Sequence, residues 1–269
     1  MNDQRQPPVD EVVLSFAFEK RGALLGPRAG LTLQSFLRRF PNVELRPPYE
    51  MPTEYPPGPN SLSAAALGIH MNQMNTFPQA RYWMSSDDGS RLLQVQPDYF
   101  ALNWRKKPGM KYPGYDQLHA EFIILCHELD ASLRKAGDEL LHIRQVELTY
   151  IDVLRPSELW KSHSDTHKVA QVEFGASDDY EQVSIAYSRV LRDDDGGFAG
   201  RLHVSALPAI DTESGVPVLN VTTTLRSASY LPKTPLEIGL AFLDEAHVAI
   251  TKNFDQMVRE NAKKAWGLA

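Results

Sequence analysis

One histidine and one carboxylate near the end of the chain have a spacing that could move protons. His247 lies on an otherwise apolar stripe of a predicted helix, and Asp244 precedes it by three residues. Residues three apart on a helix are neighbours, so the Asp244 carboxylate could fix the tautomer of the imidazole and raise its pKa, as in a general base. Local spacing places no serine, cysteine or lysine nucleophile beside them. A core-edge histidine with a local hydrogen bond is the alternative, and we assign no catalytic residue.

A second candidate site is a set of polar side chains within an apolar hairpin at residues 81–106. Asp88-Gly89 is a strong hairpin-turn signal. The apolar residues occupy odd positions before Pro97 and even positions after it, which predicts a β-bulge near Pro97-Asp98. Because bulges re-aim side chains, the polar residues could line a binding groove; the wet face of an amphipathic sheet is the alternative. These residues are Gln94, Gln96, Asp98, Asn103 and Arg105.

The sequence predicts neither a metal site nor a cofactor. His163 and His167 are four residues apart, a spacing that can bind a metal on a helix. Their segment has the composition of a polar loop, however, and no clear third ligand follows. Cys126 is the only cysteine, which excludes an intramolecular disulfide and a thiolate-rich metal site.

Composition narrows the class of protein. The 269 residues are 42% hydrophobic and 23% charged, as in an ordinary globular protein. A net charge of −6 and a pI near 5.8 argue against broad binding to nucleic acid or anionic membranes. The first ten residues lack the apolar core of a signal peptide, and no run reaches the roughly 18 apolar residues of a membrane helix. We therefore expect a soluble, cytoplasmic protein.

Periodicity predicts both strands and helices. Residues 41–59 contain seven prolines and should form an extended surface connection, since proline cannot donate to a ladder. Period-two patterns predict strands at residues 9–19, within 81–106, and at 143–154, 169–174, 180–191, 201–207 and 218–225. Helical patterns cover residues 32–40 with Thr32 as N-cap, 118–137 with Gly137 as C-cap, and 235–266 behind a capping box of Thr234 and Glu237.

These elements predict an α+β fold, in which antiparallel sheets carry long amphipathic helices on one face. We divide the chain into residues 1–155, an α+β half with the proline-rich connection at 41–59, and residues 156–269, a β-meander with a long helix. The two halves have a similar order of elements, although whether they arose by duplication stays open.

The hairpin also carries a resemblance to known sequences. The pattern resembles an uncharacterised, sporadically distributed family of bacterial proteins of about this length. The matching segments are Pro7-Pro8-Val9-x-Glu11-Val12-Val13-Leu14-Ser15-Phe16, Arg81-x-Trp83, Leu93-Gln94-Val95-Gln96-x-Asp98-x-Phe100-x-x-Asn103-Trp104-Arg105-Lys106 and Leu243-Asp244-x-x-His247. The resemblance implies no activity and no catalytic residues, but its patchy distribution suggests an anti-phage defence or toxin–antitoxin locus.

Three functions remain as hypotheses. The first is a non-catalytic binding or regulatory protein that acts through contacts with a protein partner and could form a homodimer. The second is a small-ligand binder with a pocket between a curved sheet and the C-terminal helix, where His247 and Arg105 would converge. The third is an enzyme that uses Asp244 and His247. We expect the binding site to involve Gln94, Gln96, Asp98, Asn103, Arg105, Asp244 and His247.

Overall fold

The computed structural model describes residues 7–58, 80–157, 159–171, 181–212, 214–229 and 234–266. The strands are β1 (Val9–Phe18), β2 (Asn42–Arg46), β3 (Arg81–Ser85), β4 (Arg91–Gln96), β5 (Tyr99–Arg105), β6 (Ile143–Leu154), β7 (Ile185–Arg192), β8 (Phe198–Ile210) and β9 (Pro217–Ser227). They form one antiparallel sheet in the order β2-β3-β4-β5-β1-β6-β9-β8-β7. The helices are α1 (Pro27–Thr32), α2 (Tyr115–Lys135), α3 (Thr166–Val169), α4 (Leu236–Met257) and α5 (Glu260–Trp266).

The predicted α+β class is confirmed. The predicted boundary between residues 155 and 156 falls just after β6, which pairs with β1 on one side and β9 on the other. Strands from both sides of that boundary therefore belong to a single sheet. A duplication of the two halves stays a prediction.

One face of the sheet, the helix-covered face, packs against α2 and α4. The Phe16 ring of β1 lies 5.1 Å from the Phe122 ring of α2. The α4 helix approaches β6 at Gly239, where a Cβ atom would lie 3.2 Å from Ile143 and 3.3 Å from Val146. Alternate residues of the central strands are fully buried beneath these helices, as period two requires. They include Val12, Leu14, Phe16, Phe100, Leu102, Val146 and Leu148.

The hairpin at residues 81–106 differs from the prediction. It is a three-stranded meander of β3, β4 and β5, with Pro97 and Asp98 forming a turn instead of a bulge. This turn pairs Gln96 with Tyr99, so an even position faces an odd one across the ladder. The change of the buried residues from odd to even positions therefore results from this two-residue turn, and not from a bulge.

Two helix predictions also need correction. Thr32 ends α1 instead of capping a later helix, and its hydroxyl donates to the carbonyls of Ala23 and Arg28. At the C-terminal helix, Pro235 takes the N-cap position without a side-chain cap bond, so the predicted capping box does not form.

The predicted helix 235–266 is interrupted at Val258. This residue forms a β-bridge with Ala170, and the Arg259 amide donates to the Val169 carbonyl. The contact also corrects the predicted strand 169–174, since Val169 ends α3; residues 172–174 lie outside the described ranges. A long-range backbone contact thus divides one predicted helix into α4 and α5.

Candidate functional site: the strapped face of the sheet

The face of the sheet opposite α2 and α4 is crossed by residues 47–58, which we call the strap. The strap leaves β2 at one edge of the sheet and contacts side chains of β4, β6, β8 and β9. Met51 and Glu54 are buried and Tyr49 is half-buried, whereas both prolines that precede Tyr49 are exposed. Of the proline-rich connection predicted at 41–59, residues Asn42–Arg46 instead form the strand β2 and pair with β3, and the strap that follows covers one face of the sheet. We call this the strapped face.

Two buried glutamines hold the main chain of the strap. Gln96 accepts a hydrogen bond from the Tyr49 amide at 2.9 Å and donates to the Tyr49 carbonyl at 2.6 Å. Gln145 accepts from the Glu54 amide at 3.1 Å and donates to the Pro52 carbonyl at 2.7 Å. Each primary amide therefore satisfies one donor and one acceptor of the strap, as a neighbouring strand would.

The side chain of Glu54 anchors the strap on the far half of the sheet. Its carboxylate is bonded by Arg201 and His203 of β8, each at 2.5 Å, and by Arg226 of β9 at 3.4 Å. Arg226 also pairs with Glu147 of β6. Glu54 is only 5% exposed, so these partners replace its lost hydration.

The acidic and basic groups of this cluster stabilise each other's charged forms. Burial alone raises the pKa of Glu54, but the hydrogen bond and charge of His203 and the charges of Arg226 and Arg201 lower it overall. Burial likewise lowers the pKa of Arg226, but Glu147, Tyr49 and Glu54 raise it overall. Both groups therefore remain charged beneath the strap.

The predicted polar residues of the hairpin form a chain of hydrogen bonds on the same face. Gln94 donates to Asn103 at 2.7 Å, and Asn103 donates to Glu11 at 2.5 Å. Arg105 donates to the same Glu11 oxygen at 3.1 Å. Asp98 accepts from Gln96 at 2.8 Å, beside its own turn. These residues line the strapped face, and several of their polar groups bond to one another.

His247 and Asp244 lie on the opposite, helix-covered face. The His247 Nδ1 atom is 3.0 Å from the Tyr150 hydroxyl, and its ring stacks on Tyr115 with centroids 4.0 Å apart. Asp244 instead accepts from Tyr115 at 2.9 Å and lies 3.1 Å from Nδ1 of His119. The hydrogen bond that orients the imidazole thus comes from Tyr150, and not from Asp244 as the helix spacing predicted.

Burial dominates the electrostatics of this second cluster. It lowers the pKa of His247, against the raising effects of Asp116 and Asp244. It also raises the pKa of Tyr112, whose hydroxyl lies 3.1 Å from that of Tyr150, to about 12. The neutral forms of these groups are therefore favoured, which is the opposite of the raised pKa expected of His247 if Asp244 made it a general base.

The structure separates the seven predicted site residues into two groups. Gln94, Gln96, Asp98, Asn103 and Arg105 belong to β4, β5 and the turn between them, whereas Asp244 and His247 belong to α4. The sequence prediction missed the residues that anchor the strap. Gln145 and Glu147 alternate with the buried Val146 and Leu148, so the period-two pattern could have marked a polar face. Glu54 carries no comparable local signal.

The paired histidines that were considered as metal ligands make other contacts. In the ranges given above, no three His, Cys, Asp or Glu side chains come close enough to hold a metal ion. His163 lies 3.1 Å from each of the carbonyls of Ala209 and Val218, and His167 bonds to the Ser164 carbonyl. Of the helices in the described part of the chain, none has the length and apolar character that crossing a bilayer demands.

Comparison of the chain with protein-family models, with curated proteins and with solved structures gives no match.

Proposed function

We propose that this chain is a non-catalytic binding protein that acts through protein–protein contacts, and that the strapped face holds an extended segment of its partner. The observation that carries the proposal is the way in which Gln96 and Gln145 bind the strap. Both amides recognise main-chain groups, which every peptide has. Main-chain bonds with pockets for alternate side chains are a general mode of peptide recognition.

The strap also defines which peptide would fit. Its three inward side chains are Tyr49, Met51 and Glu54, and the last enters a cluster of Arg201, His203 and Arg226. A partner segment with aromatic and apolar residues followed by a carboxylate would meet the same groups. The strap would then be an internal occupant that competes with the partner, and the same face of a second copy could accept it in a homodimer.

A peptide of residues 47–58 tests this proposal. Because the tethered strap competes at an effective concentration on the order of millimolar, it must first be weakened. We expect the Met51→Ala/Glu54→Ala chain to bind the labelled wild-type peptide, with fluorescence anisotropy as the readout. A peptide with the same two alanines should bind about tenfold more weakly, since it lacks both anchors.

A further variant tests whether the peptide binds to the strapped face itself. Adding Gln145→Ala to the Met51→Ala/Glu54→Ala chain removes a receptor group and should weaken peptide binding. Adding Gln171→Ala, which removes a polar side chain that bonds to Val258 away from this face, should leave binding unchanged. Circular dichroism checks that each variant is folded. A folded Met51→Ala/Glu54→Ala chain that does not bind the peptide contradicts the proposal.

A small-ligand binder is the second candidate, and a cavity favours it. The cavity has a volume of about 630 Å³, a usual size for a ligand site, and lies between the end of β6 and α5. Trp160, Leu159 and Trp266 line it, together with Lys106 and Arg155. The cationic groups there differ from the predicted His247 and Arg105. Binding of a small aromatic anion in this cavity should quench tryptophan fluorescence. The Ala265→Trp substitution should fill the cavity and abolish the binding.

We extend the first proposal, on the resemblance alone, to a cytoplasmic protein of a bacterial anti-phage defence or toxin–antitoxin system. Co-purification with the products of neighbouring genes would test that setting. A partner obtained in this way supports the proposal only if a peptide from it competes with the strap.

A further inference from the structure

The indole of Trp83 on β3 is surrounded by three guanidinium groups. Their Cζ atoms lie 4.9 Å (Arg46), 5.3 Å (Arg81) and 5.2 Å (Arg105) from the centroid of the ring. These arginines come from β2, β3 and β5, so three strands converge on one side chain. Such cation–π contacts are individually favourable, but the three cations also repel one another.

Among the described residues, carboxylates pair with two of these three arginines. Arg105 pairs with Glu11 at 3.1 Å, and Arg46 pairs with Glu44. Arg81 donates one hydrogen bond to the neutral Gln94 at 3.0 Å. Among the residues that the structure describes, Arg81 forms no ion pair. Within the described ranges the cluster therefore carries one positive charge without a paired carboxylate, in a protein whose net charge is −6.

Two hydrogen-bond donors in the cluster also need an acceptor. The Nε atom of Arg81 and the Nε1 atom of Trp83 are buried, and neither has a partner in the described part of the chain. A buried donor without an acceptor costs free energy, so native structures rarely retain one unless something binds there.

The surroundings of Arg81 are unfavourable to its charge. Burial lowers its pKa most, and the nearby Arg46 lowers it further, against the raising effects of Tyr99 and Tyr49. A guanidinium nevertheless stays charged at neutral pH, so the unfavourable interaction persists until an anion approaches.

The cluster is accessible from the edge of the sheet. The side chain of Arg46 is 47% exposed and that of Glu44 is 63% exposed, and both belong to the edge strand β2. Arg46 pairs with Arg81 across the β2–β3 ladder, so an anion would reach Arg81 past these two exposed side chains.

We propose that Arg46, Arg81 and Arg105 form a binding site for an oxyanion, a carboxylate or phosphate group, beside Trp83. Planar guanidinium groups match the oxygens of both anions and bind them in a bidentate manner. One bound anion supplies the missing negative charge and the missing acceptors together. The site touches the strap through Arg81, whose Cζ atom lies 5.7 Å from the centroid of the Tyr49 ring, but none of its three arginines is among the partners of the Glu54 carboxylate.

Calorimetric titration of the full chain with inorganic phosphate and, separately, with succinate tests the site. The ionic strength is held constant with sodium chloride, because screening alone changes weak anion binding. Phosphate binding without succinate binding assigns the site to phosphate groups, and the reverse assigns it to carboxylates; binding of both supports a general oxyanion site. Binding of neither overturns the proposal.

Variants localise the binding. Arg81→Gln keeps a donor towards Gln94 but removes the charge, and we expect about a tenfold loss of affinity. Arg134→Gln removes a charge from an exposed helical ion pair elsewhere and should change the affinity less than about twofold. If Arg81→Gln does not fold, the exposed Arg46→Gln replaces it. Equal affinity of the wild-type chain and the folded arginine variant overturns the proposal.

Tryptophan fluorescence gives an independent check. The chain contains four tryptophans, so the signal of Trp83 is the part of the anion-induced change that Trp83→Phe removes. We expect most of the change to disappear in that variant. The strap peptide plays no part in this titration, so failure of the peptide experiment and failure of the anion experiment are distinguishable.

Discussion

The two faces of the sheet bury carboxyl groups with opposite results. Glu54, on the inner side of the strap, is 5% exposed and its pKa is lowered. Asp152 follows Tyr150 by two residues on β6, towards the helix-covered face, and is 3% exposed. Burial, with a smaller contribution from the charge of Asp10, raises its pKa to about 7. Both side chains are almost inaccessible to solvent and Asp152 is the more deeply buried of the two, but burial can only raise a carboxyl pKa and so does not explain the lowered pKa of Glu54.

The difference comes from the partners that each face supplies. Glu54 contacts two arginines and a histidine, whereas the charged group that acts on Asp152 is Asp10, of the same sign. Burial disfavours both carboxylates, and only cations in contact reverse that effect. At these two positions the strapped face therefore stabilises a charged carboxylate, and the helix-covered face disfavours one.

Glu54→Ala should produce the largest effect. Removing the Glu54 carboxylate leaves Arg201 without its ion-pair partner and Arg226 with Glu147 alone, which costs about 3 to 5 kcal/mol of unfolding free energy. Urea denaturation at pH 7 measures this loss. The control is Glu128→Ala, which breaks a partly exposed pair with Arg39 and should cost about 1 kcal/mol or less.

The contribution of Glu54 to the unfolding free energy should depend on pH. Because its folded pKa is lowered, its stabilisation is present above the ordinary value of 4.5 and is lost as the pH falls through the folded value. The gap between wild type and Glu54→Ala should therefore narrow in acid. A gap that stays constant down to pH 3 would contradict the charged state of this group.

Asp152→Asn should change the unfolding free energy in the opposite direction, by stabilising the chain. The folded pKa of about 7 exceeds the ordinary 3.8, so the wild-type chain loses stability as the pH rises between these values, where only the unfolded state ionises. The amide avoids this cost, and the variant should be about 4 kcal/mol more stable at pH 8. Below pH 4 the two chains should differ little. Asp87→Asn on an exposed turn is the control, and a variant that gains nothing at pH 8 would falsify the assignment.

Tyr150→Phe should have the smallest effect. It removes the hydroxyl that lies between Tyr112 and His247, and the loss of these hydrogen bonds should cost about 1 to 2 kcal/mol. Thermal unfolding at pH 7 measures the cost. Tyr55→Phe, at a side chain that is 54% exposed, should leave the midpoint almost unchanged. Equal midpoints for the two variants would mean that the Tyr150 hydroxyl contributes nothing.

Part of the candidate site was predictable from local pattern. The polar residues of β4 and β5 and the apolar alternation around them follow from period two, and they do lie on one face. Their separation from His247 was not predictable, because β5 ends at Arg105 and α4 begins only at Leu236. The sequence could not indicate which side of the sheet the helix would cover.

The sequence by itself determined the local elements. Alternation predicted β1, β6, β8 and β9, and the helical repeat with Gly137 predicted α2, because short-range periodicity and capping decide where a strand or helix forms. The tertiary structure alone decided the path of the strap, the break at Val258 and the partner of His247. Each of these depends on residues far apart in the chain, such as Glu54 and Arg201, and local periodicity carries no information about which distant segments meet.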